Sequence, residues 1–329
     1  MHNSRESPKG TPLRWIQAEE TLTPIDNPFQ GAEWHTVKAD AGRYLRLNLL
    51  SGDTVVGHLG VRDVSVLGTY NRWALLGEPV ALQDDPINQR EALQSLISFA
   101  HGQGIDVIEC QFNMARWLTD AVEHTVPSEC HEAFGTYVVD LRDGMDAVKS
   151  GFSSNHKRQM KQAIKASAQV RDQVEREPLL ELLSQVYGRT GRKSPFSAEY
   201  LDRLLATQDL SLVTVTVEGP DGIEMAIIVP YDSRRGYFLH GAAKPGGLRG
   251  AAVLGHFEVM RLLSERGVPE YDLGGARPWH QDKRLQGIAE FKRRFGGPFE
   301  AVSRFTIPLT RKGRLIHKTI PGIGQLFRR

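Results

Sequence analysis

Two stretches of this 329-residue chain, residues 43–112 and 211–274, carry the same order of hydrophobic periodicities. That repetition constrains the fold more than any single motif does. In the first stretch apolar and polar residues alternate over 44–50 and 54–61, around the turn Ser51-Gly52-Asp53. A third strand-like run follows near 73–76, then helical spacing over 89–101 and a strand over 105–112. In the second stretch, runs at 212–217 and 223–231 flank a Gly, Pro and Asp turn. A third run spans 237–241, helical spacing covers 251–266, and a short apolar run closes at 270–273. Gly102 and Gly267 end the two helices at matching places. Each half is therefore expected to form the same strand-strand-strand-helix-strand unit, and the chain is long enough for two cores. The fold class is α/β (α+β), with each half a mixed sheet flanked by helices.

Between the halves the pattern predicts a strand at 137–141, a short helix from Met145 and a helical region from Ser153 to about Leu205. Pro178 and Pro195 are expected to divide that region. The organisation expected is a flexible tail over 1–12, a first domain over 13–150, a second over 151–310 and a basic tail over 311–329.

Composition excludes several classes. A net charge of +2 is too mild to mark a nucleic-acid binder. The two cysteines, Cys110 and Cys130, form no CxxC and no Cys/His ladder, so no disulfide framework and no metal site is expected. The first residues lack an apolar targeting segment, and no run reaches the roughly 18 apolar residues of a membrane span. The expected location is cytoplasmic. The GxSxG elbow, P-loop, HExxH and GxGxxG patterns are all absent.

The chemistry is concentrated near the C-terminal end. Tyr271-Asp272-Leu273-Gly274-Gly275 reads as a short strand ending in an acid and two glycines, where ligand sites gather in α/β sheets. Residues 287–297 then place Phe291 and Phe295 four apart on one helix face, with Lys292 beside it. Lys292 is either one of three solvated cations with Arg293 and Arg294, or a lysine held among aromatics to meet developing negative charge. Asp272 either caps the next turn or pairs with Arg277, or it orients Lys292 or an amine.

These two segments, with Phe291-Lys292 and Phe295-Gly296-Gly297, resemble the C-terminal signature of the Fem family. The resemblance implies tandem GNAT (acetyltransferase-like) domains and transfer of aminoacyl groups from tRNA to amines of peptidoglycan precursors. It also implies that Lys292 stabilises the negatively charged transition state in a pocket shaped by Phe291, with Asp272 beside them. Tyr271, Gly274 and Gly275 would line that site; the loop after them is longer than the family's spacing, and its Trp279, His280 and Asp282 are candidates from the sequence alone to cover a substrate. The long coiled-coil insert common in that family has no counterpart here.

Other candidates lie upstream. His240 through Lys244 leads past Gly246 and Gly247 to Arg249, Gly250 and Ala251 at a helix start. In acetyl-CoA-dependent GNAT proteins the matching loop offers backbone N–H groups to a pyrophosphate; here the spacing departs from that pattern. His240 is read as a structural histidine or a substrate contact. Lys157, Lys161 and Lys165 recur at i, i+4 and i+8 beside Arg158, a basic stripe suited to phosphate or an ordinary solvated face. The tail beyond residue 310 mixes cations with bulky apolars, and reads as a frayed basic terminus or as a peripheral contact with an anionic inner membrane face.

The function expected is N-acyl or aminoacyl transfer to an amine of a cell-envelope precursor, lipid- or nucleotide-linked, or of a small amino compound. Aminoacyl-tRNA is the donor implied by the resemblance, with acyl-CoA or an acyl carrier as the alternative, and no tightly bound cofactor. A catalytically idle duplicated fold that binds a partner is the reading from another class.

Overall fold

The computed structural model describes residues 11–18, 27–38, 42–66, 70–76, 80–81, 88–110, 122, 124–189, 191, 194, 196–208 and 210–319. Along the chain run β1 (Leu13–Gln17), α1 (Ala32–Lys38), β2 (Arg43–Ser51), β3 (Thr54–Val66), β4 (Tyr70–Leu75) and β5 (Val80–Ala81). Then come α2 (Gln89–Gly102), β6 (Val107–Cys110), β7 (His131–Asp140), α3 (Gly144–Gly151), α4 (Ser154–Lys165) and β8 (Gln169–Arg171). They are followed by α5 (Arg176–Gly188), α6 (Ala198–Ala206), β9 (Leu212–Gly219), β10 (Gly222–Pro230), β11 (Gly236–Tyr237) and β12 (His240–Ala243). The chain continues through α7 (Ala251–Glu265), β13 (Glu270–Ala276), α8 (Lys283–Arg293), β14 (Phe299–Pro308) and α9 (Arg311–Thr319). Contacts group these elements into two compact units, each drawing on more than one stretch of chain. Of the described residues, the first takes 11–18, 42–132 and 303–319, and the second 27–38 and 133–302.

In the first unit β1, β2, β3 and β4 pair antiparallel in chain order. β6 then lies parallel to β4, and the last four residues of β14 run antiparallel to β6. Alternation along β2 sends Leu45, Leu47 and Leu49 to one face, where they join Val61, Trp73, Leu75 and Ile108. α2 covers that face with Leu93, Leu96 and Ala100. Full burial of each large aliphatic side chain there contributes about 1.5–3 kcal/mol. Asn88 caps α2 by accepting from the Glu91 N–H at 3.2 Å.

The second unit repeats the order. β9 and β10 form a hairpin, β12 pairs antiparallel with β10, α7 follows, and β13 comes last. α7 buries Val253, Val259, Met260 and Leu263 in one core with Val215, Val217, Ile227 and Val229. Gly255 lets this helix lie close to the sheet, since an added Cβ would come within 3.2 Å of Ile227. The tandem mixed-sheet class expected from the repeat is the one observed.

The two units differ at one point. In the first, β4 and β6 pair over four successive residues, Arg72 to Leu75. In the second the corresponding strand divides. Gly236 and Tyr237 pair parallel with β13, and the Phe238 N–H still donates to the Asp272 carbonyl at 2.9 Å. From Leu239 onward the chain bonds to β10 instead. The run expected as one strand over 237–241 is thus two short strands that part company at Phe238.

Two further expectations are corrected. The long helical region does not break at Pro178, which occupies the first turn of α5, where a missing N–H costs nothing. The chain leaves α4 through Ser167, at φ 59, into a short strand that extends the β9 edge. The strand expected to close at 270–273 runs on to Ala276, so Gly274 and Gly275 lie inside it. Pro195, residues 1–10 and residues 320–329 lie outside the described residues.

Candidate active site

β13 is irregular where it matters. Its pairing with β7 runs Asp272 opposite Val138 and then Gly275 opposite Thr136, which leaves one extra residue in β13. Gly274 adopts φ +73, and an added Cβ would lie 3.1 Å from the Phe238 carbonyl oxygen. Asp272 holds this bulge. Its Oδ1 accepts from the Gly274 N–H at 2.7 Å and from the hydroxyl of Thr136, which also lies 2.9 Å from the Gly274 oxygen. Its Oδ2 is 3.9 Å from Arg235, a guanidinium also bonded to Glu270 and Glu300. Burial raises the Asp272 carboxyl above its ordinary range, against the hydrogen bonds from Thr136 and Gly274 and the cations of Arg235 and Lys292.

Lys292 reaches that bulge from α8. Asp282 caps the helix by accepting from the Arg284 N–H at 2.8 Å, and Ala289 and Lys292 face inward. The helix exit is fixed by two glycines. A Cβ on Gly296 would overlap the Gly151 carbonyl, and one on Gly297 the Val138 carbonyl of β7. The N–H of Ser153 donates to the Arg294 carbonyl at 2.9 Å, and His156 Nε2 donates to that of Phe291 at 3.0 Å. The start of α4 therefore clamps the end of α8 at both flanks of Lys292.

The three adjacent cations part ways. Arg293 and Arg294 both pair with Glu290, at 2.6 and 2.9 Å. Lys292 is only 8% exposed. Its Nζ donates to the Gly275 carbonyl at 2.8 Å and stands 5.5 Å from the centre of the Phe238 ring. Burial lowers its pKa to about 8, while the Asp272 carboxylate pulls the other way.

Around the lysine lies an aromatic wall. Phe291 and Phe295 meet edge to face at 5.3 Å, and His256 packs against both and against Phe238. His256 Nδ1 shares a 2.9 Å hydrogen bond with the buried Tyr271 hydroxyl. Burial, then the Lys292 and His156 charges, lower the His256 pKa to about 3, so its ring is neutral at physiological pH. Burial likewise drives the Tyr271 phenol upward. These groups leave a cation in a surround of low polarity, at the place where two strands separate. Such a cation stabilises a developing oxyanion more strongly than it would in water.

Of the residues singled out in the sequence, Lys292, Phe291, Asp272, Tyr271, Gly274 and Gly275 come together here. The other candidates make the following contacts. His240 shares a 2.7 Å hydrogen bond between Nε2 and the Tyr200 hydroxyl, and packs on Phe196. Trp279 is more than half exposed and meets Phe299 edge to face. Arg249 is exposed, and a Cβ on Gly250 would overlap the Gln159 carbonyl. Lys157 donates to the Ser150 carbonyl at 2.7 Å and Arg158 to Asn155 at 2.9 Å, while Lys161 and Lys165 are exposed. His256, His156, Thr136 and Phe238 were not anticipated. The sole local trace of the first is its place on the apolar face of the 251–266 helix; the rest carry none.

The family described as Acetyltransferase (GNAT) domain matches residues 150–293, a span that contains Phe238, His256, Tyr271, Asp272, Phe291 and Lys292. None of the curated proteins matches the chain. Among solved structures, FemX aligns with TM-score 0.68 and 13% identity over 89% of this chain and 94% of its own. The C-terminal domain of a putative lysylphosphatidylglycerol synthetase from Agrobacterium fabrum aligns with TM-score 0.55 and 13% identity, over 89% and 92%. L-PGS from Bacillus licheniformis aligns with TM-score 0.50 and 13% identity, over 80% and 86%. At these identities the likeness is one of fold.

Proposed function

From a chain with a Fem-like fold and a GNAT acetyltransferase-like second unit, we propose an N-acyltransferase. It moves an acyl or aminoacyl group from an activated ester or thioester to an amine of a cell-envelope precursor or a small amino compound. The observation that carries this reading is Lys292, buried at the β13 bulge beside the point where the strands diverge.

The neutral amine attacks the donor carbonyl, forming a C–N bond and placing the carbonyl electron pair on oxygen. The Lys292 ammonium keeps two N–H groups beyond the one on Gly275, and these donate to that oxygen. Collapse of the intermediate expels the alcohol or thiol group, which leaves with the proton the amine gives up. Asp272 holds the bulge and so the backbone that receives Lys292; its Oδ1 is spent on Gly274 and Thr136.

An aminoacyl donor is supported by the likeness to FemX and to the lysylphosphatidylglycerol synthetase domain, and by the exposed cations of α4, which suit a polyphosphate chain. The GNAT match keeps acyl-CoA as the second donor. Among the described residues no helix is long and apolar enough to cross a membrane.

The test is transfer of label from charged tRNA, and separately from acyl-CoA, to an extract of envelope precursors. An acid-stable amide that disappears with Lys292→Met is expected. Absence of transfer from both donors would leave only a binding role.

A further inference from the structure

The loop between β12 and α7 is where a GNAT-type unit presents backbone N–H groups at a helix start, a geometry that ordinarily receives an anion. Here that loop is filled from within. The Glu224 side chain, 3% exposed on β10, reaches up from the sheet, and its Oε2 accepts from the Leu248 N–H at 2.5 Å. Its Oε1 lies 3.4 Å from the Lys244 ammonium, which also donates to the Asp221 carbonyl. Two glycines make room for it. A Cβ on Gly219 would come within 2.9 Å of Glu224 Cγ, and one on Gly247 would overlap Oε2 itself.

Two neighbouring donors are spent as well. The Gly247 N–H goes to the Lys244 carbonyl at 3.1 Å, and that of Ala251 to the Leu248 carbonyl at 3.2 Å. Gly250, at φ +95, faces the Gln159 carbonyl oxygen of α4. A diphosphate brought to the Leu248 N–H would meet the Glu224 carboxylate already there, with the Gln159 carbonyl packed against Gly250. The glycines that read as room for a ligand are room for the protein's own oxygens.

We infer that Glu224 is a donor-specificity residue: it occupies the anion position of the 244–251 loop, so this unit takes acyl donors that place no diphosphate there. This rests on the acyl-transfer reading and narrows it to esters or thioesters whose leaving group reaches the site without a CoA-type diphosphate.

The test is binding, measured calorimetrically with CoA and with pantetheine, the same arm lacking the nucleotide diphosphate. The wild-type protein is expected to bind CoA no more tightly than pantetheine. Glu224→Gln, which keeps an acceptor for Leu248 but removes the charge, is expected to tighten CoA about tenfold or more, with pantetheine unchanged. Wild-type protein that binds CoA at least tenfold more tightly than pantetheine would overturn the inference. So would folded Glu224→Gln and Glu224→Ala proteins with no gain in CoA affinity. The wild-type ratio needs no variant to fold. It is also readable if no donor supports turnover, an outcome that would sink the acyl-transfer reading instead.

Discussion

The Lys292 ammonium donates to the Gly275 carbonyl at 2.8 Å, so a cation from α8 is fastened to the bulge of β13, next to the divergence at Phe238. The bond fixes the lysine's direction while leaving two donors for a ligand. Burial of that charge has a stability cost.

Lys292→Met removes both the charge and the cost. Turnover should fall by about two to three orders of magnitude with donor binding nearly intact. Arg293→Met should do much less, because Arg293 points about 100° away and pairs with Glu290 at the surface. Equal losses from the two substitutions would mean a diffuse electrostatic patch.

The pH dependence follows from the lysine's pKa, lowered from 10.5 to about 8. Activity that needs the ammonium should decline as pH rises through about 8, once the acceptor's own titration is divided out. For stability the sign is opposite. Between about 8 and 10.5 the unfolded chain holds the proton that the folded chain has lost, so stability contributed through this group rises with pH. At pH 7 Lys292→Met should therefore be more stable than wild type by about 1–3 kcal/mol, and urea melts should show the gap closing toward pH 10.5. A constant gap across that range would mean that the lysine is not desolvated.

Gly274→Ala tests the bulge. The residue sits at φ +73, and the new methyl would press on the Phe238 carbonyl at 3.1 Å. A loss of about 1–3 kcal/mol in stability is expected, with a larger proportional loss in turnover than in donor affinity. A variant as active and stable as wild type would show that the bulge geometry is not needed.

Lys157, Lys161 and Lys165 separate a polyanionic donor from a small one. Replacing all three with Gln should weaken binding of charged tRNA and flatten its dependence on salt, while leaving thermal stability within about 1 kcal/mol. Lys157 also donates to Ser150, so its single replacement should account for most of any stability change. Affinity that is unaltered from low to high salt would make the stripe an ordinary solvated face.

Local patterning in the sequence determined the order of elements in each half and the spacing of Phe291 and Phe295 one helical turn apart. Those properties depend on period and spacing, which neighbours along the chain impose on each other. Tertiary structure decided which of three adjacent cations is buried, because that depends on α4 clamping α8 through Ser153 and His156, about 135 residues away. It also decided that the strand after β10 divides at Phe238, since that depends on which partner each backbone amide finds. The glycines make the contrast plainest. Their positions were legible in the sequence, but whether Gly247 and Gly250 admit a ligand or the oxygens of Glu224 and Gln159 was settled by what packs against them.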